Sequence, residues 1–298
     1  MSTPSNTIPE SFGRSAARES RLRPWYWSVR RELWEYRSLY LAPLIVAGVI
    51  VVATTLSRIA SIWEPAIRTH AGESIASSYN MAAMMLMGTT FLVSLFYCAD
   101  ALHGERRDRS VLFWKSLPVS DETTVLAKFS IPLLVIPLIT FVITLGTQWV
   151  MLIMHTLIRA AIGGDVGEIW RMPLLEMWVM QAYHLIFVHG LWYAPFYAWL
   201  LLVSAWAKRA PILWALIPIA AVGIVEAFVF RGNWFLILLE RRLMGGPAGD
   251  YAGDVLMPPL SQLTPLKFLM SPGLWIGFGL AAVFLLAAVR LRRQRGPL

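Results

Sequence analysis

The sequence predicts an all-α, polytopic membrane protein with six transmembrane helices and a helix lying in the membrane surface before them. Three observations lead there. The chain is 57% hydrophobic and only 15% charged over 298 residues, whereas soluble domains run near 45–50% apolar and about 25% charged. Its charges gather in short clusters separated by long stretches that hold none. The basic clusters also alternate from one connection to the next, as they do in chains that cross a bilayer repeatedly.

Residues 1–24 are rich in Ser, Pro and Arg and are expected to form a disordered cytoplasmic tail. With no apolar run before Leu41, no cleaved signal peptide is expected. Residues 25–298 are expected to form one six-span domain. From Trp25 to Tyr40, aromatic and basic residues interleave at helical spacing. That pattern fits an interfacial helix with its rings at the acyl boundary and Arg towards phosphates. Six apolar segments follow, at about 41–57, 81–101, 129–158, 177–207, 211–230 and 274–289. Each approaches or exceeds the roughly 20 residues that cross a ~30 Å hydrocarbon layer. The third and fourth are the longest, and Pro132, Pro137 and Pro195 supply kink points in them. Between the last two spans, Trp234–Leu243 reads as a short helix on or in the outer leaflet.

Charge sets the orientation. With both termini inside, the inner side holds 18 of the 26 Lys and Arg residues, while the 18 acids divide equally between the two sides. The net charge of +8 therefore faces anionic cytoplasmic lipid, which leaves no role for nucleic acid. The single cysteine, Cys98, excludes an intrachain disulfide or a cysteine metal cluster. His184 and His189 are five apart, on different faces of a helix, which is poor metal-ligand spacing. Tyr183, Gln148 and His155 are expected to be interhelical hydrogen-bonders. The run of Met residues over Met81–Met87 reads as adaptable packing.

The inner connection Glu105–Lys128 stands apart. Its first half, Glu105-Arg106-Arg107-Asp108-Arg109, is a dense cluster of alternating charge. Its second half, Val111 to Pro118, is a short apolar-aromatic turn carrying Phe113, Trp114, Lys115, Leu117 and Pro118. Ser120-Asp121 caps the next helix, and Lys128 stands at the mouth of the third span. A solvated loop that merely carries topology charge leaves Phe113 and Trp114 without a purpose. Two large rings on a charged turn are either a plug for a pocket on another protein or anchors in the headgroup layer.

The run from Glu105 to Asp121, followed by Lys128, resembles the first cytoplasmic loop of ABC-2 type transporter permeases. The likeness is strong over about 30 residues, and the order of interfacial helix, six spans and long outer segment agrees with it. The resemblance implies an elbow helix at Trp25–Tyr40 and a coupling helix in the loop. It further implies that Glu105, Arg106, Arg107, Asp108, Arg109, Phe113, Trp114, Lys115, Leu117 and Pro118 contact a separate ABC-type ATPase. The chain would then be the permease subunit of an exporter in a bacterial inner membrane, working beside a second permease copy or a relative. The sequence has no G-x-x-x-x-G-K-[ST], so ATP and Mg belong to the partner and no cofactor is expected in this chain.

Two charges near the spans remain. Glu226, inside an apolar run, either lines a pathway or pairs with Arg231 or Arg159. Asp100 sits at the inner boundary, within reach of Arg106 or Lys128. A proton-coupled secondary transporter relaying through Glu226 and the buried histidines is the alternative function. An integral membrane metal hydrolase would need clustered ligands that the sequence does not offer.

Overall fold

The structure is a computed structural model that describes residues 25–63, 75–110, 112, 119–243 and 265–294. Among the described residues the ordered elements are all helices. Helix α1 covers residues 25–35 and turns through Tyr36-Arg37 into α2, Ser38–Trp63. Helix α3, Ile75–Asp100, leads after a two-residue turn into the short α4, His103–Arg107. Helix α5, Asp121–Ala161, is followed by the single-turn α6, Gly167–Trp170. Then come α7 (Leu174–Trp192), α8 (Ala194–Trp206), α9 (Pro211–Phe230), α10 (Trp234–Leu243), α11 (Pro265–Leu269) and α12 (Pro272–Gln294).

Five of these helices, α2, α3, α5, α9 and α12, are long and apolar enough to cross a bilayer. There are six if α7 and α8, bent by 46°, form one broken span. The expected segments therefore fall on helices, with the fourth interrupted at Tyr193. Pro195 explains where it restarts. Its missing N–H is harmless in the first turn of α8, so the helix breaks just before it. In α5, Pro132 cannot make an α-type hydrogen bond, and the helix widens into a π-turn over Ile131–Val135. The stretch His184–Trp192 of α7 is widened in the same way. The two wide turns cross at Gly190, where a Cβ would stand 3.0 Å from the Leu133 carbonyl oxygen, so the absent side chain lets the backbones approach closely.

Packing groups α2 with α3 and α5, and α8 with α3 and α12. The larger core gathers Leu39, Tyr97, Ile136, Tyr197, Leu201 and Ala288. A smaller one holds Ala47, Ile50, Tyr79, Leu86 and Met151. The outward faces are equally apolar: α2 exposes Ile45, Val49, Val52 and Leu56. Such a surface is unfavourable in water and suited to lipid. Because lipid offers no hydrophobic drive for helices to associate, polar contacts between helices gain importance. Thr90 donates to Thr140 at 2.6 Å, joining α3 to α5. Gln148 on α5 donates to the Tyr79 carbonyl at 3.3 Å and accepts from the Trp178 indole at 2.7 Å. Tyr79 O–H lies 3.3 Å from His155 Nδ1, and His189 Nε2 lies 3.1 Å from the Met87 carbonyl. Gln148 and His155 thus link helices as expected. His184 instead bonds within α7, to the Met180 carbonyl at 2.9 Å.

Candidate functional site

The densest chemistry lies where α1, α4, the start of α5 and the end of α12 converge. Helix α1 is two-faced. On one face Arg30 sits between the rings of Trp27 and Trp34, at 5.1 and 5.0 Å, with both rings exposed. On the other, Glu32 is fully buried and both of its oxygens accept hydrogen bonds. Its Oε1 accepts from Lys128 at 2.8 Å and from Arg31 at 2.6 Å, and its Oε2 accepts from Tyr97 at 2.8 Å.

Glu105, 1% exposed, is the hub. Its Oε1 meets Arg31 at 2.8 Å and Lys128 at 3.2 Å, and its Oε2 meets Arg292 at 2.5 Å. The Nε of Arg292 reaches Asp121 at 2.8 Å. Three carboxylates (Glu32, Glu105, Asp121) thereby face three cations (Arg31, Lys128, Arg292). An unpaired charge there would cost several kcal/mol, so the balance is what makes the burial tolerable. Around Arg31, burial works against the charged form. Glu32, Glu105 and Glu35 outweigh it and hold the guanidinium pKa above its ordinary value. Burial, with Asp100 and Glu32 nearby, pushes the Tyr36 phenol up.

A second set of contacts ties α4 to the end of α8. The backbone N–H groups of Leu102 and His103 both donate to Ser204 Oγ, at 3.0 and 2.8 Å. Arg106 donates to the carbonyls of Ala205 at 2.7 Å and Ala207 at 3.4 Å. A cation over the free carbonyls and negative dipole of a helix C-terminus is the expected pairing. Ser120 Oγ accepts from the Thr123 N–H at 3.1 Å, capping α5 as its sequence predicts.

The expected docking set is therefore divided. Glu105 and Arg106 are buried: Glu105 pairs with Arg31, Lys128 and Arg292, and Arg106 donates to the Ala205 and Ala207 carbonyls. Arg107, Asp108 and Arg109 are exposed, with Arg107 paired to Asp108 at 3.0 Å. Arg109 adopts a left-handed backbone, φ 59°, which turns the chain away from α4. Phe113, Trp114, Lys115, Leu117 and Pro118 lie outside the described residues. Asp100 is corrected. It accepts from Tyr36 O–H at 3.2 Å and faces Arg107 at 3.7 Å, while Lys128 is drawn inward by Glu32 and Glu105. The sequence reading missed Arg31, Glu32, Tyr97 and Arg292. A usable signal was present: acids inside an aromatic-basic helix, and a basic pair closing the last span.

Glu226 does something local. Its Oε2 accepts from the Phe235 N–H at 2.8 Å, satisfying a free donor in the first turn of α10. Helix α10 is fastened at its other end by Arg242. This side chain stacks 3.9 Å from the centre of the Trp192 ring and donates to the Trp192 and Gly273 carbonyls at 3.0 and 2.7 Å. The stacked arginine passes over Gly277, where a Cβ would stand 2.1 Å from Nη2. Among the described residues no group of His, Cys, Asp and Glu could hold a metal ion. Every oxygen of Glu32 and Glu105 is engaged by a donor, so the cluster joins α1, α3, α4, α5 and α12.

Comparison of the chain with protein-family models, curated proteins and solved structures gives no match.

Proposed function

We propose that this chain is the permease subunit of an ABC-2 type exporter. It has six spans, counting α7 and α8 as one, and α1 serves as its elbow helix. It sits in a bacterial inner membrane with both termini in the cytoplasm. A second permease, identical or related, completes the pathway, and two separate ATPase subunits supply ATP and Mg. The observation that carries the reading is the loop Glu105–Lys128, whose ABC-2-like sequence begins and ends on residues of one buried charge cluster.

The cluster gives that loop a mechanical purpose. A loop that receives force must be stiffly attached to what it moves. Here its first end is held by Arg31, Lys128 and Arg292, and by the Ser204 and Arg106 contacts to α8. Closure of the ATPase pair would therefore act on α1, α3, α5, α8 and α12 together, an interface-driven switch between two packings. The docking surface narrows to Phe113, Trp114, Lys115, Leu117 and Pro118, with Arg107, Asp108 and Arg109 beside them. Glu226 is engaged as a cap on α10, which favours a local role over a proton relay.

The test is co-purification of the tagged permease with its ATPase, followed by nucleotide hydrolysis in vesicles. Replacing Phe113 and Trp114 with Ala should detach or uncouple the ATPase while the permease still inserts. ATPase association and coupled hydrolysis unchanged from the parent would refute the docking role.

A further inference from the structure

We infer that Arg292, near the end of the last helix, is the clasp that closes the stem of the cytoplasmic loop, and so a positioning residue for the ATPase contact. Its role towards the ATPase rests on the exporter reading; the clasp itself rests on geometry. Arg292 is 6% exposed and forks between two carboxylates, with Nη1 on Glu105 at 2.5 Å and Nε on Asp121 at 2.8 Å. Glu105 lies on α4, where the loop departs, and Asp121 opens α5, where it returns. One guanidinium therefore joins the two ends of a loop whose closure costs chain entropy.

The other buried contacts do not reach the first turn of α5. Arg31 holds Glu105 and Glu32, and Lys128, two turns further along α5, joins that helix to Glu105 at 3.2 Å and to Glu32 at 2.8 Å. Arg293 reaches Glu122 at 2.6 Å, but both side chains are more than half exposed. An exposed pair of that kind contributes little. Asp121 and Glu122 also stand in the first turn of α5, where the helix dipole already favours negative charge. The grip of α12 therefore falls on a prearranged anionic end. Lysine cannot reproduce the fork, because an ammonium is a single point donor where a guanidinium presents a planar set. The consequence is that the last helix moves with the loop, although Arg292 is 171 residues from Asp121 and 187 from Glu105 in sequence.

The experiment uses the full chain in lipid nanodiscs, without the ATPase, and follows tryptic cleavage after Arg107 and Arg109. In Arg292→Lys and Arg292→Ala the first turn of α5 is released from Glu105, and cleavage at these sites is expected to rise about tenfold, as the open population grows. Cleavage after Arg241, on the distant helix α10, should stay at the parent rate, which separates a local release from general loosening. Arg293→Ala should remain within about twofold of the parent, as an exposed pair implies. Parent-like cleavage in Arg292→Lys, or equal acceleration at Arg241, overturns the clasp. Should Arg292→Ala fail to accumulate, the lysine variant decides alone. None of these readouts involves the ATPase, so failure of the clasp and failure of the exporter reading are separable.

Discussion

Glu105 and Lys128 allow the charge cluster to be tested as a balanced unit. In Glu105→Gln the shape is kept and the charge removed. Arg31, Lys128 and Arg292 are left facing Glu32 and Asp121, with the partly exposed Glu35 3.7 Å from Arg31. At an effective dielectric near 20, one charge pair at ~3 Å is worth about 5 kcal/mol before desolvation. Stranding one member of a buried pair generally costs about 3–5 kcal/mol. Lys128→Met strands a negative charge by the same reasoning, since Lys128 and Glu105 are each 1% exposed. In the double variant one charge of each sign is removed, so the losses should not add. A coupling of at least about 1.5 kcal/mol is expected in the double-mutant cycle. Cys98 is the only cysteine and is fully buried, so its reaction with a thiol-specific dye reports unfolding of the detergent-solubilised protein. Each single substitution should lower the midpoint by on the order of 10 °C. Single costs below about 1 kcal/mol, or effects additive within about 0.4 kcal/mol, would falsify the idea of a mutually compensated cluster.

Three further outcomes are expected. Glu122→Gln, at the exposed partner of Arg293, should cost no more than about 1 kcal/mol by the same dye assay; a loss comparable to Glu105→Gln would show that burial is not what matters. Glu226→Ala should loosen the start of α10 by about 1 kcal/mol, seen as faster amide exchange in Trp234–Leu243, while Glu226→Gln changes it little. Loss of transport in Glu226→Gln with unchanged exchange would instead mark a pathway carboxylate. Gly277→Ala should displace Arg242 and cost about 1–3 kcal/mol in thermal unfolding. Gly279→Ala, with nothing within 4 Å, should be neutral or stabilising by up to about 1 kcal/mol. Equal effects at the two glycines would remove the case for the Arg242 fastening.

The helices were largely legible because lipid-facing segments state their character residue by residue. An apolar run of sufficient length has few alternatives once every backbone group must be hydrogen-bonded internally. The widened turns were half legible. Pro132 and Pro195 marked the places, but whether a helix bends, breaks or widens depends on what crosses it, and at Gly190 that is the Leu133 carbonyl. The interhelical roles of Gln148 and His155 followed from the cost of leaving polar groups unpaired among apolar ones. The capping contact of Glu226 was not legible, because its partner, the Phe235 N–H, comes within reach only once α10 folds back onto the end of α9.

The loop at Glu105 shows the same division. By itself the sequence determined that Glu105–Lys128 is a charged interruption between two apolar helices, with Ser120 capping the second and Phe113 and Trp114 at its turn. That information is local: residue type, spacing and helical period. It could not determine that Glu105 points inward while Arg107 points outward, or that Glu32 and Arg292, at opposite ends of the chain, are its neighbours. Charge pairing depends on distance in space, and those distances arise only when α1, α4, α5 and α12 converge. The tertiary structure thus placed Glu105, one member of a charged run in the sequence, in the buried fastening of the loop that emerges from it.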